Sequence, residues 1–364
     1  MTSMPEHKTL AVIGSYADAA DPGLYLCEYD AASGSLRQLQ AISGLQYPTF
    51  AAIDGDKLTV YAISEETDPS GQRKGYLSAF RLDPVQAQLS LINKEESLPA
   101  PTCHVELDRA GRCLIVSSYH GGLLGLSPVL EDGSIGPSAD QHRHEGKSVH
   151  PAQSQARVHS VFVDRTNRWA VASDLGLDKV FVYKLDTERY RLELHQEVSV
   201  APGSGPRHFV FHPSLPYGYV IHELNGTITA FGFDEERGEL RALQTVSTLP
   251  EGFDGENGCA DIHISPDGRF LYGSNRGHDS LAVYAISAET GELSLVEIVS
   301  TLGGHPRNFA LSPDGRHVLV ANRDGNHIVT FRRDEASGKL TPAGIELAVS
   351  KPVCVKFVTL MASH

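Results

Sequence analysis

The sequence lacks the residues and runs on which several protein classes depend. Its five cysteines, Cys27, Cys103, Cys113, Cys259 and Cys354, are scattered over 364 residues with no C-x-x-C pair. An odd, unpaired set is neither a disulfide framework nor a zinc ribbon, and it suits a reducing compartment. Basic residues are in deficit, 31 Lys and Arg against 45 Asp and Glu, which leaves a formal charge of −14. A surface of that sign repels nucleic acid and anionic membranes, so an anionic ligand needs a local basic pocket set against the field. No apolar run approaches the ~18 residues of a membrane span, and Met1 to Lys8 has no signal-like apolar stretch. The expectation is a cytoplasmic protein with neither membrane nor nucleic-acid partners. No window sustains a 3.6-residue apolar period, which argues against long helices. G-x-S-x-G, Walker and G-x-G-x-x-G fingerprints are missing from any suitable context, and no cofactor is called for. The single tryptophan, Trp169, lies in a strand-like run and reads as core; Asn225-Gly226-Thr227, formally a sequon, reads as a turn.

What the sequence does have is a repeat. Ala260–Arg276 (ADIHISPDGRFLYGSNR) and Arg307–Arg323 (RNFALSPDGRHVLVANR) are near copies. Weaker copies begin at Thr49, Cys103, His159 and Arg207, and a truncated one at Val353, at intervals of 46 to 56 residues. A period near 50 built of short strands signals propeller blades. Each unit holds four strand signals, a to d. Asp267-Gly268 and Asp314-Gly315 turn a into b, and Gly-x-Leu (Gly34/Leu36, Gly238/Leu240, Gly291/Leu293, Gly338/Leu340) opens d. The chain starts with b-, c- and d-like strands (Leu10–Ile13, Leu24–Tyr29, Leu36–Ala41) and ends with a lone a-like strand, Pro352–Val358. Six full units and these two fragments make an all-β, seven-bladed β-propeller, residues 1–364 as one domain. Each blade has four antiparallel strands, and the C-terminal strand joins the N-terminal three to close the ring.

The start of a and the end of b lie at the same end of a blade, so both ring one mouth of the channel. The start-of-a column reads Thr49, Cys103, His159, Arg207, Ala260, Arg307, Val353, followed by Phe50, His104, Ser160, His208, Asp261, Asn308, Cys354. The end-of-b column reads Ser64, Ser118, Asp174, His222, Asn275, Asn322, followed by Glu65, Tyr119, Leu175, Glu223, Arg276, Arg323. A structural repeat has no packing reason to vary so much, and with such polar residues, at one end. A ligand site at this mouth follows, although Arg207 and Glu223, in one blade, also fit a plain salt bridge tying a to b. The opposite mouth, with its repeated Pro-Asp-Gly turns, reads as structural.

The segments His208–Pro213 (HFVFHP), His222–Thr227 (HELNGT), Gly273–Ser280 (GSNRGHDS) and Pro306–Ala310 (PRNFA) resemble the lactonase family of seven-bladed propellers. That family includes propeller-type 6-phosphogluconolactonases and carboxy-muconate cyclases. Asp174–Lys179 (DLGLDK) and Gly14-Ser15-Tyr16 resemble it too, and the likeness runs through nearly the whole chain. It implies a catalytic set of one histidine, two arginines and a glutamate, which falls on His159, Arg207, Glu223 and Arg276. Relatives often have H-x-H where this sequence has Arg157-Val158-His159, so one of the two histidines is replaced by arginine.

Opening a lactone needs a water activated near a carbonyl and stabilisation of the oxyanion that forms. His159 is the first choice of base because imidazole titrates near neutrality; Glu223 either orients it or is the base itself. Arg207 and Arg276 offer forks for a phosphate, a carboxylate or the oxyanion. His208, Asn275 and Arg307 are further candidate substrate contacts. With two arginines and one carboxylate, the set is not expected to bind metal. The stretch His142–His150 (HRHEGKSVH) contains a His-x-His-Glu that fits a metal, but a mobile solvated loop is the stronger reading; Gly203–Pro206 reads as a loop rather than a phosphate cradle. The leading expectation is a hydrolase of a small anionic sugar lactone, 6-phosphogluconolactone first. A cycloisomerase resembling the muconate cyclases and a non-catalytic binding platform are the alternatives.

Overall fold

A computed structural model describes residues 8–360. Seven four-stranded antiparallel sheets stand around a central channel. Numbered in chain order, blades I to VII have inner strands Ala51–Asp54, His104–Leu107, Val158–Val163, Pro206–Phe211, Gly258–Ile264, Pro306–Leu311 and Pro352–Leu360. Blade VII is composite. Pro352–Leu360 pairs antiparallel with Lys8–Ser15, which continues to Leu24–Tyr29 and Leu36–Ile42. The register runs from Lys8↔Leu360 to Ser15↔Pro352, so the two ends of the chain close one sheet and leave no gap in the ring.

Apolar side chains cluster between neighbouring blades. Leu319 and Ala321 of blade VI pack with Ile13 and Tyr25 of blade VII, for example, and Val171 and Val182 of blade III pack with Phe209 and Val220 of blade IV. The Gly-x-Leu signature has a physical origin here. Gly238, Gly291 and Gly338 have φ of +71°, +71° and +74°, the region that favours glycine. Each also lies under an aromatic ring of the preceding blade: a Cβ would stand 2.6 Å from Trp169, 2.5 Å from Tyr217 and 2.3 Å from Phe270, respectively. The leucine two residues on gives its N–H to the preceding blade's fourth strand, Leu240 to Gln196 at 2.8 Å, Leu293 to Gln244 at 2.7 Å and Leu340 to Glu297 at 2.7 Å. Turn, ring and amide together latch one blade to the next. Trp169 is buried, as read from the sequence, and its indole N–H donates to the Glu235 carbonyl at 2.9 Å.

Candidate functional site

The inner strands that supply the polar mouth share one irregularity. In blade III the pairing jumps from Val158↔Asp174 to Ser160↔Ser173, leaving His159 as an extra residue. Blade IV jumps from Pro206↔His222 to His208↔Ile221 around Arg207, and blade VI from Pro306↔Asn322 to Asn308↔Ala321 around Arg307. Blade V has an irregularity at the same place, between Cys259 and Ile262. A bulge breaks strand alternation and re-aims a side chain. Here it lets consecutive residues both serve the channel: His159, Arg207 and Arg307 at the floor of the mouth, with Asp261 and His208 beneath.

The mouth opens into a cavity of about 630 Å³ whose walls include Tyr16, Glu65, Tyr119, His159, Glu223 and Arg307. Below it, His159, Arg207, His208, Arg307, Cys103 and Thr49 enclose a cleft of about 10 Å³, about the room one water needs.

Glu223 is the electrostatic centre. Its Oε2 accepts from Arg207 Nε at 2.9 Å and lies 3.0 Å from an Arg276 terminal nitrogen. The Arg207 side chain is almost fully buried, and it also donates to the Ala260 carbonyl of the next blade. Arg276 donates to the Gly258 and Cys259 carbonyls, both at 2.8 Å. Burial, together with repulsion from Arg276 and Arg307, brings the Arg207 pKa down to about 9. Burial alone would raise Glu223, but Arg276, Arg207 and Arg307 outweigh it and hold the carboxyl below its usual range. One carboxylate thus assembles two guanidiniums, and the plain salt bridge foreseen between Arg207 and Glu223 is half of that arrangement.

His159 is held neutral. Burial, then the positive charges of Arg207 and other neighbours, keeps its pKa well below the ordinary imidazole value. Its Nδ1 is sealed from solvent without a hydrogen-bond partner, and the ring packs edge-on against Tyr119 and His208. His208 is differently placed. Its Nδ1 is 2.7 Å from Asp261 Oδ1, and Asp261 Oδ2 is 2.8 Å from His263 Nε2 and accepts from Asn308. Burial and Arg207 lower His208 to about 4 despite the Asp261 carboxylate.

The structure brings His159, Glu223, Arg207, Arg276 and Arg307 together at one mouth. His159, Glu223 and Arg307 line the cavity, Arg207 lies in the floor cleft, and Arg276 lines neither but joins the group through Glu223. His208 also lies in that cleft, beneath the cavity rather than in its wall. Asn275 does not reach the site. It is fully buried, its amide donates to Thr248 O at 2.9 Å and Ser280 Oγ at 3.1 Å, and its carbonyl accepts from Thr248 Oγ1 at 2.8 Å. The expected substrate contact there is not what the geometry offers: both ends of the Asn275 amide are committed to Thr248 and Ser280, away from the cavity.

The segment 142–150 is a solvated loop only in its second part, where Glu145, Gly146, Lys147, Val149 and His150 are exposed. His142 and Arg143 belong to the outer strand Asp140–Arg143 of blade II. His144 is buried between Asp174 and Tyr183, 2.7 Å from each, and His150 caps a single 3-10 turn. Among the described residues no group of three or more His, Cys, Asp or Glu side chains is arranged to hold a metal. In the Gly203–Pro206 loop, the N–H groups of Gly203 and Gly205 already donate to Asp178, both at 2.7 Å, so they do not form an anion cradle. Cavity residues that no repeat column pointed to include Tyr16, Tyr47, Arg73, His120 and Lys351; they come from loops and from an extended hairpin in blade I.

Comparison with known proteins agrees with this geometry. Residues 10–357 match the family described as lactonase, 7-bladed beta-propeller. A 6-phosphogluconolactonase of Bacillus subtilis is 35% identical over 352 residues, 96% of this chain and 99% of the relative. A 6-phosphogluconolactonase of Formosa agariphila is 34% identical over 345 residues, 93% and 96% of the two chains. The solved structure of the periplasmic gluconolactonase of Pseudomonas aeruginosa superimposes with a TM-score of 0.90 at 33% identity, covering 97% of this chain and 99% of that one. Matched along nearly its whole length in sequence and in blade architecture, the chain belongs to the lactonase family of seven-bladed β-propellers.

Proposed function

We infer that the protein hydrolyses a sugar-acid lactone, with 6-phospho-D-glucono-1,5-lactone the leading substrate. The observation behind this reading is the floor of the mouth, where a buried imidazole, His159, stands with Arg207 and Arg307, and Arg276 lies close behind on Glu223, in a protein of net charge −14. An anionic ester fits such a floor. Its negative charge offsets the arginine repulsion that adds to burial in keeping His159 unprotonated, so substrate binding raises the imidazole's basicity just when it is needed.

In the proposed reaction His159 takes a proton from water as the water oxygen bonds to the lactone carbonyl carbon. Arg207, with Arg276 behind it, stabilises the oxyanion. The tetrahedral intermediate collapses by breaking the bond to the ring oxygen, which receives the proton back from His159, and the product acid ionises. Glu223, fixed between two guanidiniums and held as a carboxylate, aims the arginines. That role supports His159 as the base in preference to Glu223. The 6-phosphogluconolactonase names of the Bacillus and Formosa relatives favour the phosphorylated substrate, and five free cysteines favour a cytoplasmic setting.

The test is pH-stat hydrolysis of freshly prepared 6-phosphogluconolactone, corrected for spontaneous opening, beside glucono-1,5-lactone. Rates no greater than buffer on both would remove the hydrolase reading.

A further inference from the structure

Around the mouth, four arginines are already matched to carboxylates. Arg207 and Arg276 share Glu223. Arg73 reaches both oxygens of Glu65, at 2.8 and 2.6 Å, and Arg323 holds Asp324 at 2.6 Å. Two cavity-lining cations, Arg307 and Lys351, have no ion-pair partner among the described residues. They are neighbours in the ring, Arg307 on the inner strand of blade VI and Lys351 immediately before that of blade VII.

The two are also built into one patch. The Arg307 guanidinium lies over the Tyr16 ring, 5.3 Å from its centroid, and the Tyr16 N–H donates to the Lys351 carbonyl at 3.1 Å. The Lys351 N–H is held by Asn326 Oδ1 at 3.0 Å. Lys351 has φ of +44°, a conformation disfavoured for a side-chain-bearing residue and kept only where its surroundings over-determine it. Arg307, stacked on Tyr16, and Lys351, on a strained backbone, feel carboxylates only from a distance, Glu223 and Asp18 respectively, and are left with no direct ion pair, so they are pre-set for an anion that the protein itself does not place against them. The combination of a planar fork and a point charge suits a phosphate dianion.

We propose that Arg307 and Lys351 form the subsite for the phosphate of a phosphorylated sugar lactone and set the preference for phosphorylated over unphosphorylated substrate. The proposal rests on the lactone reading above and adds to it the residues that select the substrate. Arg207 and Arg276, tied to Glu223 and to backbone carbonyls, are left to the reacting ester.

The experiment compares kcat/KM for 6-phosphogluconolactone and glucono-1,5-lactone in the wild type, Arg307→Gln and Lys351→Gln, with a melting curve for each variant. The expected result is a fall of about tenfold or more in the ratio of the two kcat/KM values in each variant, through KM of the phosphorylated substrate. A ratio kept within about twofold in folded variants, with both substrates slowed alike, would assign the pair to turnover and overturn the proposal. Calorimetric titration of the wild type with inorganic phosphate and with 6-phosphogluconate reads the subsite without turnover. Binding that both substitutions weaken upholds the subsite even if the phosphorylated lactone is not hydrolysed, in which case the function reading alone fails. An active wild type that binds neither anion would sink the subsite alone.

Discussion

At Glu223 one carboxylate balances two buried guanidiniums whose mutual repulsion would otherwise drive them apart. Replacing it with glutamine keeps the shape and removes the charge. Arg207, almost fully buried, then faces Arg276 and Arg307 without a counter-ion. Leaving a buried charge uncompensated typically costs about 3 kcal/mol. Glu223→Gln is therefore expected to lower both kcat and the denaturation midpoint, and kinetics with urea melts would reveal both. His159→Ala removes a group that makes no polar bond of its own. Its expected signature is a loss of about a hundredfold or more in kcat with KM and stability little changed; a wild-type kcat would show that another group moves the proton. The repeat columns placed His159, Arg207, Glu223 and Arg276 at one end of the blades, and the resemblance to the lactonase family singled them out from their neighbours there. Their division of labour was not legible. It depends on which ring nitrogen is sealed and which carboxylate is shared, and such contacts form between blades rather than along the chain.

Within an element, the repeat period and the Asp-Gly turns revealed the blades, and the unequal ends of the chain revealed the closure. The bulges stayed hidden. A period-2 reading assigns His159 and Ser160 to opposite faces, and nothing in Arg157-Val158-His159 announces the extra residue that re-aims the histidine. Nor did the columns show that the Asn275 amide is taken up by Thr248 and Ser280. Gly-x-Leu was visible as a turn signal, but its second purpose, leaving room for the preceding blade's aromatic ring, needs the neighbouring blade to be seen. That purpose is testable at Gly338, where φ is +74° and a Cβ would meet Phe270 at 2.3 Å. Gly338→Ala is expected to destabilise the protein by roughly 2 kcal/mol through backbone strain and displacement of Phe270. An unchanged urea midpoint would show that the ring yields freely and that the latch is weaker than its geometry implies.

The molecule as a whole stacks ionisable groups down the axis of a closed ring, and this fixes how its stability responds to acid. His104 and His159 are held well below the ordinary imidazole pKa, His208 and His222 are lowered to about 4, and His305 to about 3, in each case first by burial. Charged neighbours then adjust them: His208 and Lys356 push His104 down, Arg276 and Arg323 push His305 down, and Asp261 pulls against the trend at His208. In the unfolded chain these imidazoles take up protons below about pH 6.5, whereas in the folded ring they resist until much lower pH. The unfolded state therefore binds more protons across that interval, and stability must fall as pH drops from 6.5 towards 4. A shift like that of His208 or His222 amounts to roughly 3 kcal/mol at the acid end, against a total stability of ordinarily about 5–15 kcal/mol. Asp261, kept ionised well below the usual carboxylate range despite its burial, adds a second loss as pH falls below about 4. Urea midpoints measured from pH 8 to 4 are expected to hold steady above about 7 and then decline steeply. His222 provides the internal check, since it is buried away from the proposed chemistry with Nε2 bonded to Thr229 at 2.8 Å. His222→Asn is expected to make the decline shallower, because asparagine has no proton to gain in the unfolded chain. A midpoint that stays level between pH 7 and 5 would mean that these histidines protonate within the folded ring, and the neutral imidazole required of His159 would lose its physical basis.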